Sequence, residues 1–319
     1  MVFERNLLLG ALAFALLAPL ALYGDYALHI GINIVMFVIL ATSFNLIVGY
    51  VGEFSLGHTA FFGIGGYTAA LLEMHLGLPF EVNVFAAALV AAMFGLVIGA
   101  ITLRLRGPFF VIVTLCFAEV LRIVANNWVS LTNGPMGISG IKMPAWATGG
   151  SILEQKLVFY YAGLALAALA VAISYRFVYS NIGRAAIAIR ENRFVAQSLG
   201  IWPFYFGLVT FVLAAALAGL AGGFYAHYFT FVGPEAFGFS FMITMIIMVL
   251  GGGKGTLVGP VVGAVLVVLL EEGLRDFKEL RFSIFGLIVI AIVVFLPRGL
   301  MGFITRRHEV YRRGKPGNA

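Results

Sequence analysis

Apolar runs of membrane length follow one another along almost the whole chain, at about residues 7–23, 27–50, 54–73, 82–103, 108–124, 157–178, 203–229, 239–252, 257–271 and 283–297. A bilayer core takes roughly 20 apolar residues of helix, and within it backbone N–H and C=O groups must pair inside the segment. The chain is therefore expected to be all-α and polytopic, a single transmembrane domain over residues 1–319. About ten helices are expected; the last three runs are short, so eight or nine also fit. Only 11% of residues are charged against 62% hydrophobic, far from the soluble average. Met1 to Tyr23 has the look of a secretory signal peptide, and the spans that follow argue for a retained signal anchor.

The net charge of +6 is not spread evenly, and its distribution sets an expected orientation. With the N-terminus in the cytoplasm, the inner loops hold Arg5, Arg104, Arg106, Arg176, Arg184, Arg190, Arg193, Lys254, Arg298, Arg306, Arg307, Arg312, Arg313 and Lys315. The outer ones hold only Arg122, Lys142, Lys156, Arg275, Lys278 and Arg281. From this excess both termini are expected in the cytoplasm, and it accounts for the basic residues without nucleic acid.

Between Phe44 and Leu72 the apolar pattern is punctured by Gly49, Gly52, Gly57, Gly63, Gly65 and Gly66, with Glu53, Ser55 and His58 among them. Polar groups and glycines suit a plain lipid-facing helix poorly. Two geometries remain open: a packed hairpin turning at Val51–Glu53, or a broken segment lining a pathway.

Two connections are long. The outer one, 125–156, carries turn chemistry at Asn133-Gly134-Pro135 and either covers the bundle or receives a partner. The inner one, 180–202, offers Ser180 or Asn181 as a helix cap, Gly200 as a stop and Pro203 as the opening of the next span. Phe194, Val195 and Leu199 fall on one helical arc with Arg193 and Gln197 opposite, a short amphipathic helix that either lies at the lipid interface or docks elsewhere.

Motifs for chemistry are missing from the sequence. Gly251-Gly252-Gly253-Lys254-Gly255-Thr256 fails the phosphate-loop pattern, with Met248 at the first glycine position and Gly255 after the lysine, so it is expected to be a turn. The five histidines are dispersed, no zinc or nucleophile motif occurs, and one cysteine, Cys116, allows neither an intrachain disulfide nor a cysteine metal site. No metal, no cofactor and no catalysis are expected in this chain. Glu119 and Arg122, three apart on one helix face, are expected to neutralise each other. GxxxG pairs at Gly95/Gly99, Gly219/Gly223 and Gly259/Gly263 expect close helix packing.

Taken together, FNLIVGYVGEFSLGHTAFFGIGGYTAALL, RENRFVAQSLGIWPFYFGLVTFVLAAALAGLAGGFYAHYF and GPEAFGFSFMITMIIMVLGGGKGTLVGPVVGAVL resemble the membrane permeases of branched-chain amino acid ABC importers of the LivM type. The resemblance spans most of the chain and implies a type II-like importer bundle that works by alternating access. The implied partners are a homologous permease, two ATP-binding subunits that hold ATP and Mg, a periplasmic binding protein and membrane lipid. It places the coupling helix on Arg190, Glu191, Asn192, Arg193, Phe194, Gln197, Leu199 and Gly200, with Gln197 where the family often has an acidic residue. It places the translocation core on Asn45, Ser55, Gly57, His58, Thr59, Phe61, Gly65, Gly66 and Tyr67. Urea and amide importers have similar permeases, so the substrate is less specified than the machine. The competing class is an ion-coupled secondary transporter or channel, for which Glu119 and His58 are the ionisable residues available.

Overall fold

The α-helical expectation holds throughout the computed structural model, which describes residues 2–21, 24–147, 149–275, 284, 286–287 and 299–302. The tenth apolar run falls almost wholly outside the described residues, as do Lys278, Arg281 and the basic C-terminal tail. In chain order, α1 (Val2–Ala21) leads to α2 (Asp25–Asn45), which continues as a π-helical turn over Leu46–Val51. Then come α3 (His58–Leu76), α4 (Phe80–Thr102), α5 (Pro108–Asn127) and the single turn α6 (Val129–Thr132). The second half holds α7 (Ile152–Val178), α8 (Asn181–Glu191), α9 (Arg193–Ser198), α10 (Pro203–Phe229), α11 (Phe239–Gly252) and α12 (Gly259–Gly273).

Among the described residues, five helical stretches are long and apolar enough to cross a membrane: Asp25–Val51, Phe80–Thr102, Pro108–Asn127, Ile152–Val178 and Pro203–Phe229. The fourteen-residue α11 is apolar but short. The nineteen-residue α3 has the length, but His58, Thr59, Gly63, Gly65, Gly66 and Tyr67 dilute its hydropathy. The architecture is thus an all-α polytopic bundle.

Its centre is α10, packed along α3 and α4. Gly95 and Gly99 of α4 lie against Ala215, Leu208 and Phe211 of α10, while Gly219 and Gly223 of α10 lie against Ala91, Ala87 and Val84 of α4. Two of the three small-residue motifs therefore face each other's helices, and the third packs α12 on α11 through Gly263 and the Met248 backbone. With no hydrophobic effect between helices in lipid, such close backbone approach supplies the van der Waals contact that holds a bundle together.

Successive antiparallel helices gather the loops at two ends. At one end are 52–57, 103–107, 179–202 and 253–258; at the other are 77–79, 128–147 and 149–151, and from that end 230–238 descends along α3 until the Phe237 carbonyl meets Thr59 in its first turn. The second end is tied by a two-residue antiparallel pair, β1 (Ile138–Ser139) with β2 (Phe231–Val232), in register Ile138 to Val232. An ion pair, Lys156 to Asp25 at 2.7 Å, joins α7 to α2 there. The Asn133-Gly134-Pro135 turn forms as expected, with Asn133 in the left-handed region and Pro135 second in a short 3-10 turn over Gly134–Met136.

Candidate translocation core and coupling loop

The Phe44–Leu72 stretch resolves into a helix that widens, stops and restarts. The last turn of α2 expands at Leu46–Val51, the Gly52 N–H reaches back five residues to the Ile47 carbonyl (3.0 Å), and Gly52 ends the helix at φ +84°. Only glycine takes that conformation without strain. Six residues later α3 begins. The stretch is therefore neither a closely packed hairpin nor one continuous helix: α2 ends in a π-helical distortion, residues 52–57 connect, and α3 packs on α10 and α4 rather than along α2.

That distortion is held by three other segments. The Gly49 carbonyl accepts from Arg190 Nη1 at 2.6 Å, so the end of α8 is fastened to the π turn. Asn45 donates through Nδ2 to the Thr256 carbonyl (2.8 Å) and accepts from the Gly255 N–H (2.9 Å). Of the Gly251–Thr256 run, Gly251 and Gly252 close apolar α11 and 253–256 form the expected turn, with the Gly255 N–H committed to Asn45. Neither feature fits a phosphate loop. Around this knot opens a cleft of about 610 Å³ lined by Val48, Gly49, Glu53, Arg190, Arg193 and Lys254, among others. Lys254, Gly255 and Glu53 were not singled out as site residues from sequence; a polar Asn45 and a glycine-rich turn were visible, but nothing in the spacing paired them.

Arg193 bridges to Glu53 at 3.4 Å. Burial pushes the Glu53 carboxyl above its ordinary pKa, with Arg193 and Arg106 pulling the other way. Burial likewise lowers Arg193, followed by the like charge of Arg106, against the pull of Glu53. The pair sits where neither charge is well solvated, so its geometry is sensitive to movement of the loop.

The 190–200 segment is not one helix. Arg190 and Glu191 end α8, the chain turns extended at Asn192, and α9 restarts at Arg193. Asn192 causes the break: its Oδ1 accepts from the Phe194 and Val195 N–H groups, as an N-cap does. The Ser180 cap forms as expected, accepting from the Gly183 N–H. Gly200 ends α9 at φ +80°, where Ile201 N–H bonds the Ala196 carbonyl and Gly200 N–H bonds the Gln197 carbonyl. Of the new short helix only Ala196 is buried; Phe194, Val195, Gln197 and Leu199 are exposed, with Phe194 73% and Leu199 75% accessible. Trp202 extends this apolar patch. Arg190 lies on the cleft, and Glu191 pairs with it at 2.6 Å.

All nine residues assigned to the translocation core are buried, in the packing of α2, α3, α5 and α10 rather than on an open channel. His58 shares a 2.8 Å hydrogen bond with Ser43 and lies among Phe44 and Phe61. Thr59 donates to the Phe237 carbonyl, Tyr67 stacks on Phe237 at 5.7 Å, and Phe61 meets Phe211 edge-on at 5.4 Å. Gly57 touches the Thr114 backbone, Gly66 faces Val232, and Gly65 approaches Gly219 so closely that a Cβ would fall within that residue's backbone. Among the described residues, Ser55 Oγ, His58 Nδ1 and Tyr67 Oη are buried without a hydrogen-bond partner. Unpaired buried polar atoms are uncommon, and three along one stretch mark a place whose polar capacity the present packing does not use.

Comparison with known proteins agrees with this architecture. The profile of the branched-chain amino acid transport system / permease component family matches residues 26–297. The high-affinity branched-chain amino acid transport system permease protein LivM of Salmonella typhimurium is 34% identical over 287 aligned residues, covering 83% of this chain and 68% of the relative. Its Escherichia coli counterpart is 33% identical with the same coverage. The permease protein LivH of Salmonella typhimurium is 24% identical, covering 83% of this chain and 91% of that protein. No solved structure matches. By the extent of the profile match and the identity to the LivM proteins, this chain belongs to the family of branched-chain amino acid transport system permease components.

Proposed function

We propose that the chain is the membrane permease subunit of an ABC importer, moving a branched-chain or other small neutral amino acid inward by alternating access. The LivM and LivH relatives, both named as permeases of one kind of transport system, support pairing with a homologous permease. Two ATP-binding subunits and a periplasmic binding protein complete the assembly, and ATP with Mg acts on those subunits. Arg104, Arg106, Arg176, Arg184, Arg190, Arg193 and Lys254 gather at one end of the bundle, which is the cytoplasmic end by the positive-inside rule. Both termini lie on that side, and eight to ten helices cross the membrane. The chain acts as one domain.

The observation that carries the reading is the Arg190 hydrogen bond to the Gly49 carbonyl. It joins the exposed α8–α9 loop, where an ATPase docks, to the distorted end of α2 in the glycine-rich stretch. Phe194, Val195 and Leu199 supply the apolar contact, and Arg190 transmits displacement of the loop to the π turn. The turn can then re-form with ordinary helical bonding or remain wide. Either choice rotates residues beyond it, including Ser55 and His58, relative to α10. Small-residue contacts allow such bistable packing because little side-chain interlock must be undone.

Reconstitution in proteoliposomes with the four partner proteins tests this. ATP-dependent uptake of leucine, isoleucine or valine is expected only when both ATP-binding subunits are present. Uptake by the chain alone, driven by an ion gradient, overturns it.

A further inference from the structure

Glu119 is the charged residue set furthest from the ends of any spanning helix among the described residues. Pro108 opens α5 and Asn127 closes it, so at 1.5 Å per residue Glu119 stands roughly 16 Å from one end and 12 Å from the other. Arg122, one turn on, donates to it through Nε (3.1 and 3.0 Å) and Nη2 (2.6 Å). Both side chains remain about half exposed, at 51% and 42%. Of the five long apolar stretches, α5 is the least buried, and Ile112, Cys116 and Ile123 are exposed on the same face as Glu119. The 3-10 turn Pro234–Phe237 packs on α5 and brings a third charge, Glu235, within electrostatic reach of Arg122.

A charge at membrane depth is costly against lipid, and such residues face protein or water. The pairing of Glu119 with Arg122 reduces that cost but leaves both heads half uncovered. The α5 face is thus poorly suited to lipid. It is well suited to a zwitterion: a carboxylate accepts from an ammonium, and a guanidinium fork donates two parallel bonds to a carboxylate.

Resting on the transport reading above, we propose that this face of α5 forms one wall of the aqueous path and that the Glu119/Arg122 pair opens to take an α-amino acid, Glu119 holding its ammonium and Arg122 its carboxylate. The substrate replaces the internal ion pair with two equivalent ones, so opening costs little net charge pairing and release is equally easy. A transported molecule needs that balance. Selectivity for an amino acid over urea or an amide follows, because only the zwitterion carries both charges.

The chain's single cysteine, Cys116, lies one turn from Glu119 on the same face and reports on it directly. The experiment uses the whole importer in proteoliposomes, with partner cysteines replaced. Cys116 is expected to react with the membrane-impermeant cationic reagent MTSET, and saturating leucine with its binding protein is expected to slow that reaction at least threefold. The Glu119→Gln/Arg122→Gln double variant, which keeps a neutral hydrogen-bonded pair, is expected to lose uptake at least tenfold while the importer still assembles, read by co-purification of its subunits. Failure of MTSET to react while an uncharged maleimide does would place the face in lipid or a dry interface and overturn the proposal. Wild-type uptake by the neutral pair would also overturn it. Absence of leucine uptake by the wild-type importer would instead defeat the transport reading itself.

Discussion

Arg190 is the side chain on which the coupling argument turns. Its bond to the Gly49 carbonyl is charge-assisted, and such bonds contribute roughly 1.5–3 kcal/mol. Arg190→Gln is expected to cut ATP-dependent uptake about tenfold or more while the ATP-binding subunits still associate, measured by uptake and co-purification. Glu53 gives a second test, through pH. Burial raises its folded pKa, so stabilisation by the protonated form is complete below the unfolded pKa of about 4.5 and is lost as pH rises through the folded value. Glu53→Gln stays neutral throughout. Its melting temperature is expected to exceed wild type by a margin that grows across that window, read by scanning fluorimetry in detergent. Asn45 is legible as a polar residue of the glycine-rich stretch, but its two bonds to the 253–256 turn come from residues 210 and 211 positions away in sequence and no local pattern announces them.

Among the elements, α9 shows how little sequence separates one helix from two. The periodicity of Phe194, Val195 and Leu199 reads correctly, as does the Gly200 stop; the break at Asn192 was missed although asparagine is a preferred cap. The break forms because Asn192 Oδ1 accepts from the Phe194 and Val195 N–H groups, two donors that a new helix start would otherwise leave unpaired. Asn192→Ala is expected to destabilise α9 by about 1 kcal/mol, seen as faster amide exchange confined to that segment. Phe194→Glu or Leu199→Glu, both at exposed positions, is expected to abolish co-purification of the ATP-binding subunits without lowering the permease's melting temperature. The α3–α10 contact behaves differently. Gly65→Ala drives a methyl into the Gly219 backbone, and overpacking of this kind costs about 1–3 kcal/mol, so a lower melting temperature is expected together with impaired uptake.

At the scale of the molecule, sidedness is the property most open to direct test. A cysteine placed at Gln197 in a Cys116→Ser background is expected to be labelled by an impermeant maleimide only from the cytoplasmic face, and one at Gly149 only from the opposite face. By itself the sequence determined the all-α polytopic class, the turns at Asn133-Gly134-Pro135 and Gly253–Thr256, the caps at Ser180 and Gly200, and the close packing at the paired glycines. These follow from local physics: hydrocarbon demands internal backbone bonding, caps need particular side chains, and small residues let helices approach. Tertiary structure alone decided that Asn45, Gly49, Arg190 and Gly255 form one knot, that His58 and Tyr67 lie buried, and that Glu119 and Arg122 face outward. Those outcomes depend on which helix faces meet, and a nearly uniform apolar surface leaves that choice to packing across the whole bundle.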